Sequence, residues 1–158
     1  MTIKYAVMPS PLGDIQIAAS SQGIVRLALP SQADIRPFDP SWERDDSVAA
    51  AAQRQLREYF AGTRKTFDVA LDLAGTDFQQ TVWQALQTVP WGVTKTYGQL
   101  AQQINRPKAV RALGAANGAN PVPIIVPCHR IIGANGKLTG YFGGESIKAY
   151  LLQLEGSA

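Results

Sequence analysis

Three prolines, at 121, 123 and 127, interrupt the most apolar stretch of the chain, Asn120-Pro121-Val122-Pro123-Ile124-Ile125-Val126-Pro127-Cys128-His129-Arg130-Ile131-Ile132. Branched apolar residues in runs predict a buried, extended segment. Prolines cannot donate to a ladder, so that segment cannot be a central strand paired on both sides. It also holds the only cysteine and the only histidine of the 158 residues. A lone cysteine excludes an internal disulfide. One Cys and one His exclude a metal site of three or four such ligands, although a carboxylate-rich site stays open.

The chain before this segment divides near Ala74-Gly75, giving expected domains at 1–74 and 75–158. In the first, Ile15, Ile17 and Ala19 alternate with polar residues, and Val25, Leu27 and Leu29 do so after a Ser-Ser-Gln-Gly turn, which predicts a hairpin. Residues 30–46, with prolines at 30, 37 and 40, are expected to be a loop. A helix is expected from about Ser47 to a terminating Gly62, followed by a strand through Phe67, Val69, Leu71 and Leu73. Nothing in this half forms a chemical constellation.

In the second half, Thr76 and Gln79 have capping-box spacing before a helix bearing Val82, Trp83, Leu86 and Val89. Pro90-Trp91-Gly92 should end it. A short helix over about 96–104 and another from Lys108 to about Gly118, with Pro107 at its start, outline a helix-turn-helix. Asn135-Gly136 signals a hairpin turn, which would make the motif winged. A last helix starts at Glu145 and carries Leu151, Leu152 and Leu154 ahead of Glu155. The expected class is therefore α+β: a small strand/helix domain, then a winged helix-turn-helix-like domain holding the cysteine.

Charge is segregated in the same way. Residues 1–77 hold eight Lys/Arg against ten Asp/Glu, and residues 78–158 hold seven against two. From Phe78 to Gly144 there are six basic residues and no carboxylate. The asymmetry points to an anionic partner such as nucleic acid, or to chance segregation in a short chain. Small residues around Lys108 and Arg111 (Ala109, Ala112, Gly114) suit close approach to DNA or to another helix.

Cys128 also has two readings. Most free cysteines are inert, buried hydrophobes. A nucleophilic thiol needs a base or nearby positive charge, and the base needs an orienting acceptor. His129, Arg130 and Glu155 are of the right types, but sequence distance alone does not bring Glu155 near.

Pro127-Cys128-His129-Arg130, with Asn120-Pro121-Val122-Pro123 before it and Gly140-Tyr141 after it, closely resembles the O6-alkylguanine-DNA alkyltransferases, also called methylated-DNA–protein-cysteine methyltransferases. Phe78-Gln79, Val82-Trp83, Thr96-Tyr97-Gly98, Arg111-Ala112-Leu113-Gly114 and Glu155-Gly156 extend the resemblance over residues 76–156. It implies a single-turnover DNA repair protein in which Cys128 takes the alkyl group from O6 of guanine irreversibly. His129 would be the base, through a water, and Glu155 its orienter. Tyr97 would protonate the leaving guanine, and Asn120 would be the hinge between recognition helix and cysteine. Lys108, Ala109, Ala112, Gly114, Tyr97 and Arg111 would meet double-stranded DNA through the minor groove, with Arg111 replacing the extruded base. Tyr141, Phe142, Gly143 and Ile131 would form the substrate pocket, and Phe142 stands where relatives often have a small residue. Asn117 and Gly118 stand where some relatives are bulkier or basic.

No cofactor is implied, since the lesion supplies the alkyl group. Some relatives carry a structural zinc near the N-terminus, and residues 1–127 contain no Cys or His to bind one. No apolar run approaches the roughly 20 residues of a membrane span, so a cytoplasmic monomer is the default. The competing reading is a winged-helix module that recognises alkylated DNA, or regulates, without transferring anything.

Overall fold

In the computed structural model, which describes residues 2–33, 36–137 and 145–157, the chain divides into two units, Met1–Ala74 and Gly75–Ala158. The first is built on β1 (Lys4–Met8), β2 (Ile15–Ser20) and β3 (Gly23–Ala28), followed by α1 (Pro30–Ala33), β4 (Glu43–Arg44) and α2 (Ala50–Phe60). The sheet order is β3-β2-β1-β4, antiparallel except for the β1–β4 pair.

The expected hairpin is β2–β3, but its inward face differs from simple alternation. Ala18 pairs with Arg26 and Ala19 with Ile24, so Val25 is the extra residue of a bulge. Ile24, not Val25, is buried alongside Leu27 and Leu29. The expected strand at 67–73 is reduced to a single bridge, Leu71 to Ile24. The amide of Gln55 takes the place of a partner strand: Asp68 N donates to its Oε1 at 2.9 Å, and its Nε2 donates to Asp68 O at 3.1 Å. Helix α2 starts at Ala50 rather than Ser47, because the Asp45 carboxylate accepts from both N and Oγ of Ser47 and holds those residues in a turn. The expected loop contains α1 and β4, elements too short for a periodicity to announce.

The second unit contains α3 (Asp77–Leu86), β5 (Lys95–Thr96), α4 (Tyr97–Gln103), α5 (Val110–Gly118), a 3₁₀ turn at Cys128–Arg130, β6 (Ile131–Ile132) and α6 (Glu145–Leu154). Thr76–Gln79 and Thr96–Gln99 both form complete capping boxes. Helix α4 ends in a Schellman motif: Arg106 N reaches Ala101 O at 2.9 Å, Asn105 N reaches Gln102 O at 3.0 Å, and Asn105 takes φ 60°. That cap and an Ala109 N–Arg106 O bond hold Pro107 and Lys108 in a turn. Helix α5 therefore begins at Val110, three residues beyond the expected Pro107. Residues 133–137 turn back through a Gly133 N–Lys137 O bond of 2.9 Å; the rest of the expected wing lies outside the described residues.

Trp83 joins α3 to α5. Its ring is buried and its Nε1 donates to Ala116 O at 2.9 Å. A Cβ on Gly75 would meet that ring at 2.5 Å, whereas one on Gly114 would meet nothing within 4 Å. Denaturant unfolding should therefore show Gly75→Ala destabilised by about 1–3 kcal/mol through overpacking. Gly114→Ala should be stabilised by roughly 0.5–1 kcal/mol through helix propensity.

Candidate active site

Apart from half-buried Pro121, residues 120–130 are buried as expected, but before β6 they are coiled rather than extended. Ile125 N donates to Pro123 O at 2.9 Å around Ile124 at φ 74°, a strained γ-turn geometry for a β-branched residue. Cys128 N donates to Val126 O at 2.8 Å around Pro127 at φ −81°, ψ 64°, an inverse γ-turn. Asn120 fixes this second turn, because its Nδ2 donates to the same Val126 carbonyl at 2.8 Å while its Oδ1 accepts from Val122 N at 3.0 Å. Its amide also acts on the Cys128 thiol, favouring the ionised form.

The chain then enters the 3₁₀ turn, so Cys128 and His129 are not held on opposite faces of a strand. The imidazole Nε2 of His129 donates to Glu155 Oε2 at 2.7 Å, and neither side chain is exposed to solvent. Glu155 reaches this point because α6 closes in another Schellman motif. Ser157 N bonds Leu152 O, Gly156 N bonds Gln153 O, and Gly156 takes φ 77°. Glu155 is the cap residue and turns its carboxylate inward.

Tyr97 arrives by a different route. The parallel pairing of β5 with β6, Lys95 to Ile131 and Thr96 to Ile132, sets the first residue of α4 beside the cysteine turn. Tyr97 is half-buried and interacts electrostatically with Cys128, and its phenol hydrogen-bonds Asn117. Asn117 in turn directs its Nδ2 to Cys128 O at 3.4 Å.

The electrostatics make this a resting thiol. Burial pushes the Cys128 pKa up to about 11, against smaller opposing effects of the Asn120 hydrogen bond and the Lys148 charge. Burial lowers the pKa of His129, outweighing the Glu155 partner, so the imidazole is neutral at neutral pH. Cys128 therefore needs a base in order to act as a nucleophile, and a neutral imidazole is held next to it in sequence.

The structure thus gathers Cys128, His129, Glu155, Asn120 and Tyr97 into one cluster. Ile131 is fully buried and its carbonyl accepts from Lys148 Nζ. Arg111 and Ala112 are exposed on α5 and Lys108 on the turn before it, with Ala109 and Gly114 partly exposed. Tyr141, Phe142 and Gly143 lie outside the described residues. Among the described residues, no three His, Cys, Asp or Glu side chains gather to hold a metal, and no helix is long and apolar enough to cross a membrane.

Sequence reasoning misses the contact that Arg130 makes and the whole of Lys148. Arg130 bonds Val89 O at 2.6 Å and grips Glu155 with Nε at 2.8 Å and Nη2 at 3.0 Å. Lys148 is fully buried. A signal for it exists in the sequence: positions 148, 151, 152 and 155 form one helical stripe, of which Leu151 and Leu152 are the apolar part.

Comparison with known proteins agrees with this layout. Residues 77–157 match the family of the 6-O-methylguanine DNA methyltransferase DNA-binding domain, and residues 3–73 match that of its ribonuclease-like domain. A methylated-DNA–protein-cysteine methyltransferase of Methanosarcina acetivorans is 49% identical over 153 residues, covering 97% of this chain and 98% of the relative. One from Mycobacterium bovis is 50% identical over 155 residues, covering 98% and 93%. The crystal structure of Mycobacterium tuberculosis O6-methylguanine methyltransferase superposes with a TM-score of 0.89 at 48% identity, over 99% of this chain and 94% of that one. The same organism's OGT in complex with DNA gives the same score and identity, over 98% and 93%. With both units matched in order and almost the whole chain aligned, the protein belongs to the 6-O-methylguanine DNA methyltransferase family.

Proposed function

We propose that this protein repairs alkylated DNA by moving the alkyl group from O6 of guanine to its own Cys128, once per molecule. The observation that carries the reading is the buried His129–Glu155 pair next to the buried thiol of Cys128, in a unit of a DNA methyltransferase family. His129 takes the thiol proton through an intervening water. The sulfur attacks the alkyl carbon in line, and the carbon–O6 bond breaks with its electrons passing to guanine. Tyr97 gives its phenolic proton to that guanine, which leaves neutral, and the proton held by His129 restores the phenol. A thioether remains on Cys128, and nothing in the cluster reverses it.

The partner is DNA, a reading supported by the related OGT solved in complex with DNA. The O6 atom lies within the base stack, so the nucleotide must be extruded for the sulfur to reach its alkyl group. In this reading Arg111, exposed on α5, enters the stack from the minor groove and exposed Lys108 meets the backbone, while the small side chains of Ala109, Ala112 and Gly114 permit close approach. The protein acts on this DNA as a monomer in the cytoplasm.

Intact mass after mixing with excess O6-methylguanine DNA should rise by one CH₂, on the peptide containing Cys128, and Cys128→Ser should show no rise. Retained DNA binding without a mass shift would leave a lesion-recognition module, and a product yield above one per chain would leave a turnover enzyme. The rate should also report the state of His129. Because its pKa lies below the ordinary imidazole value of about 6.5, transfer should persist below pH 6.5 and be lost only as pH falls through the depressed value. Single-turnover rates measured across pH test this, and an acid limb at or above 6.5 would contradict it.

A further inference from the structure

Glu155 is engaged more completely than an orienter of one imidazole requires. Its side chain is fully buried, and Arg130 approaches both of its oxygens, Nε to Oε1 at 2.8 Å and Nη2 to Oε2 at 3.0 Å. Oε2 is also the atom that accepts from His129 Nε2 at 2.7 Å. The third arm of the guanidinium, Nη1, is tied to Val89 O at 2.6 Å, which fixes the plane of the fork. A bidentate guanidinium–carboxylate contact matches an ionised acid, since a protonated one would turn a hydrogen toward a group that only donates.

We infer that Arg130 is a positioning residue for the transfer: by holding Glu155 ionised with both oxygens engaged, it fixes the His129 proton on Nε2 and makes Nδ1 the atom that accepts the Cys128 proton. The inference rests on the reading of His129 as base. Nδ1 of His129 is buried and has no hydrogen-bond partner among the described residues, as this role requires. The charged and titratable groups acting on the imidazole are Glu155, which favours its protonation, and Arg130 and Lys148, which oppose it. Cys128 is adjacent in the turn, and Tyr97 interacts with Cys128 from α4. Arg130 thus acts twice, through the geometry of Glu155 and through its own charge. Without it, Glu155 becomes a competing proton acceptor, and the His129–Glu155 pair shares a proton instead of delivering the imidazole as a neutral base.

The chain has one histidine, so ¹⁵N labelling of histidine gives an unambiguous pair of ring signals in the whole, DNA-free protein. At neutral pH the unsubstituted protein should show Nε2 protonated and Nδ1 bare. In Arg130→Met the two tautomers should mix, and the pair should take up its proton at a pH higher by roughly one to three units. Arg130→Lys keeps the charge but not the fork, and should lie between the two. If Arg130 were only an anchor for Val89, both variants would lose melting temperature while ring signals and titration midpoint stayed in place, and that result overturns the inference. A proton on Nδ1 in the unsubstituted protein overturns it as well, so the test survives failure of Arg130→Met to fold. Alkyl transfer measured on the same samples separates the two claims. The expected shifts without any transfer would sink the proposed function, and with it Nδ1 as acceptor of the Cys128 proton, and would leave only Arg130 as the residue that fixes the His129 tautomer.

Discussion

A single carboxylate, buried without access to water, organises the second unit of this protein. An ionised acid in such a place is costly unless it is paired and hydrogen-bonded. Glu155 meets that condition by drawing three stretches of chain together: the end of α6, the cysteine turn and, through Arg130, the residues just after α3. Removal of any one partner would leave a charge or a strong donor uncompensated in the interior. The pairing therefore specifies how these stretches meet, and the same geometry delivers a neutral imidazole next to a buried thiol.

The backbone around the thiol follows the same logic. Prolines at 121, 123 and 127 prevent a regular ladder, so the segment satisfies its backbone locally, through two γ-turns and the Asn120 side chain. The result is a rigid presentation of Cys128 that a loop of polar residues would not give. Positive charge is divided by role: Arg130 and Lys148 lie inside the cluster, while Arg106, Lys108 and Arg111 remain at the surface around the helix-turn-helix. The basic excess of the second half is thus partly a property of the core and not wholly a nucleic-acid footprint.

Features that depend on neighbours in the chain are legible in the residues themselves. The Thr-x-x-Gln spacing at Thr76 forms its capping box, as does the same spacing at Thr96, and the change of pattern at Ala74-Gly75 is a division of the chain. Features set by tertiary partners are not legible in this way. The bulge that buries Ile24 in place of Val25 depends on how β3 meets β2, and the loss of a strand at 67–73 depends on one glutamine side chain from α2. At the site, Cys128 and His129 stand out as single occurrences, and the family resemblance supplies Glu155. The fork from Arg130 has no such signal, because adjacency to His129 suggests divergence until the 3₁₀ turn bends both side chains to one acceptor.

The most direct test of this account is the unfolding free energy of Glu155→Gln, measured in denaturant against the unsubstituted protein. Glutamine keeps the shape but presents a neutral amide, with hydrogens of its own, to His129 and Arg130. If Glu155 organises the unit, stability should fall by about 3–5 kcal/mol, the range for breaking a buried ion pair, with loss of alkyl transfer. A variant within about 0.5 kcal/mol of the unsubstituted protein, still transferring at full rate, would contradict the claim that this carboxylate holds both the fold and the chemistry.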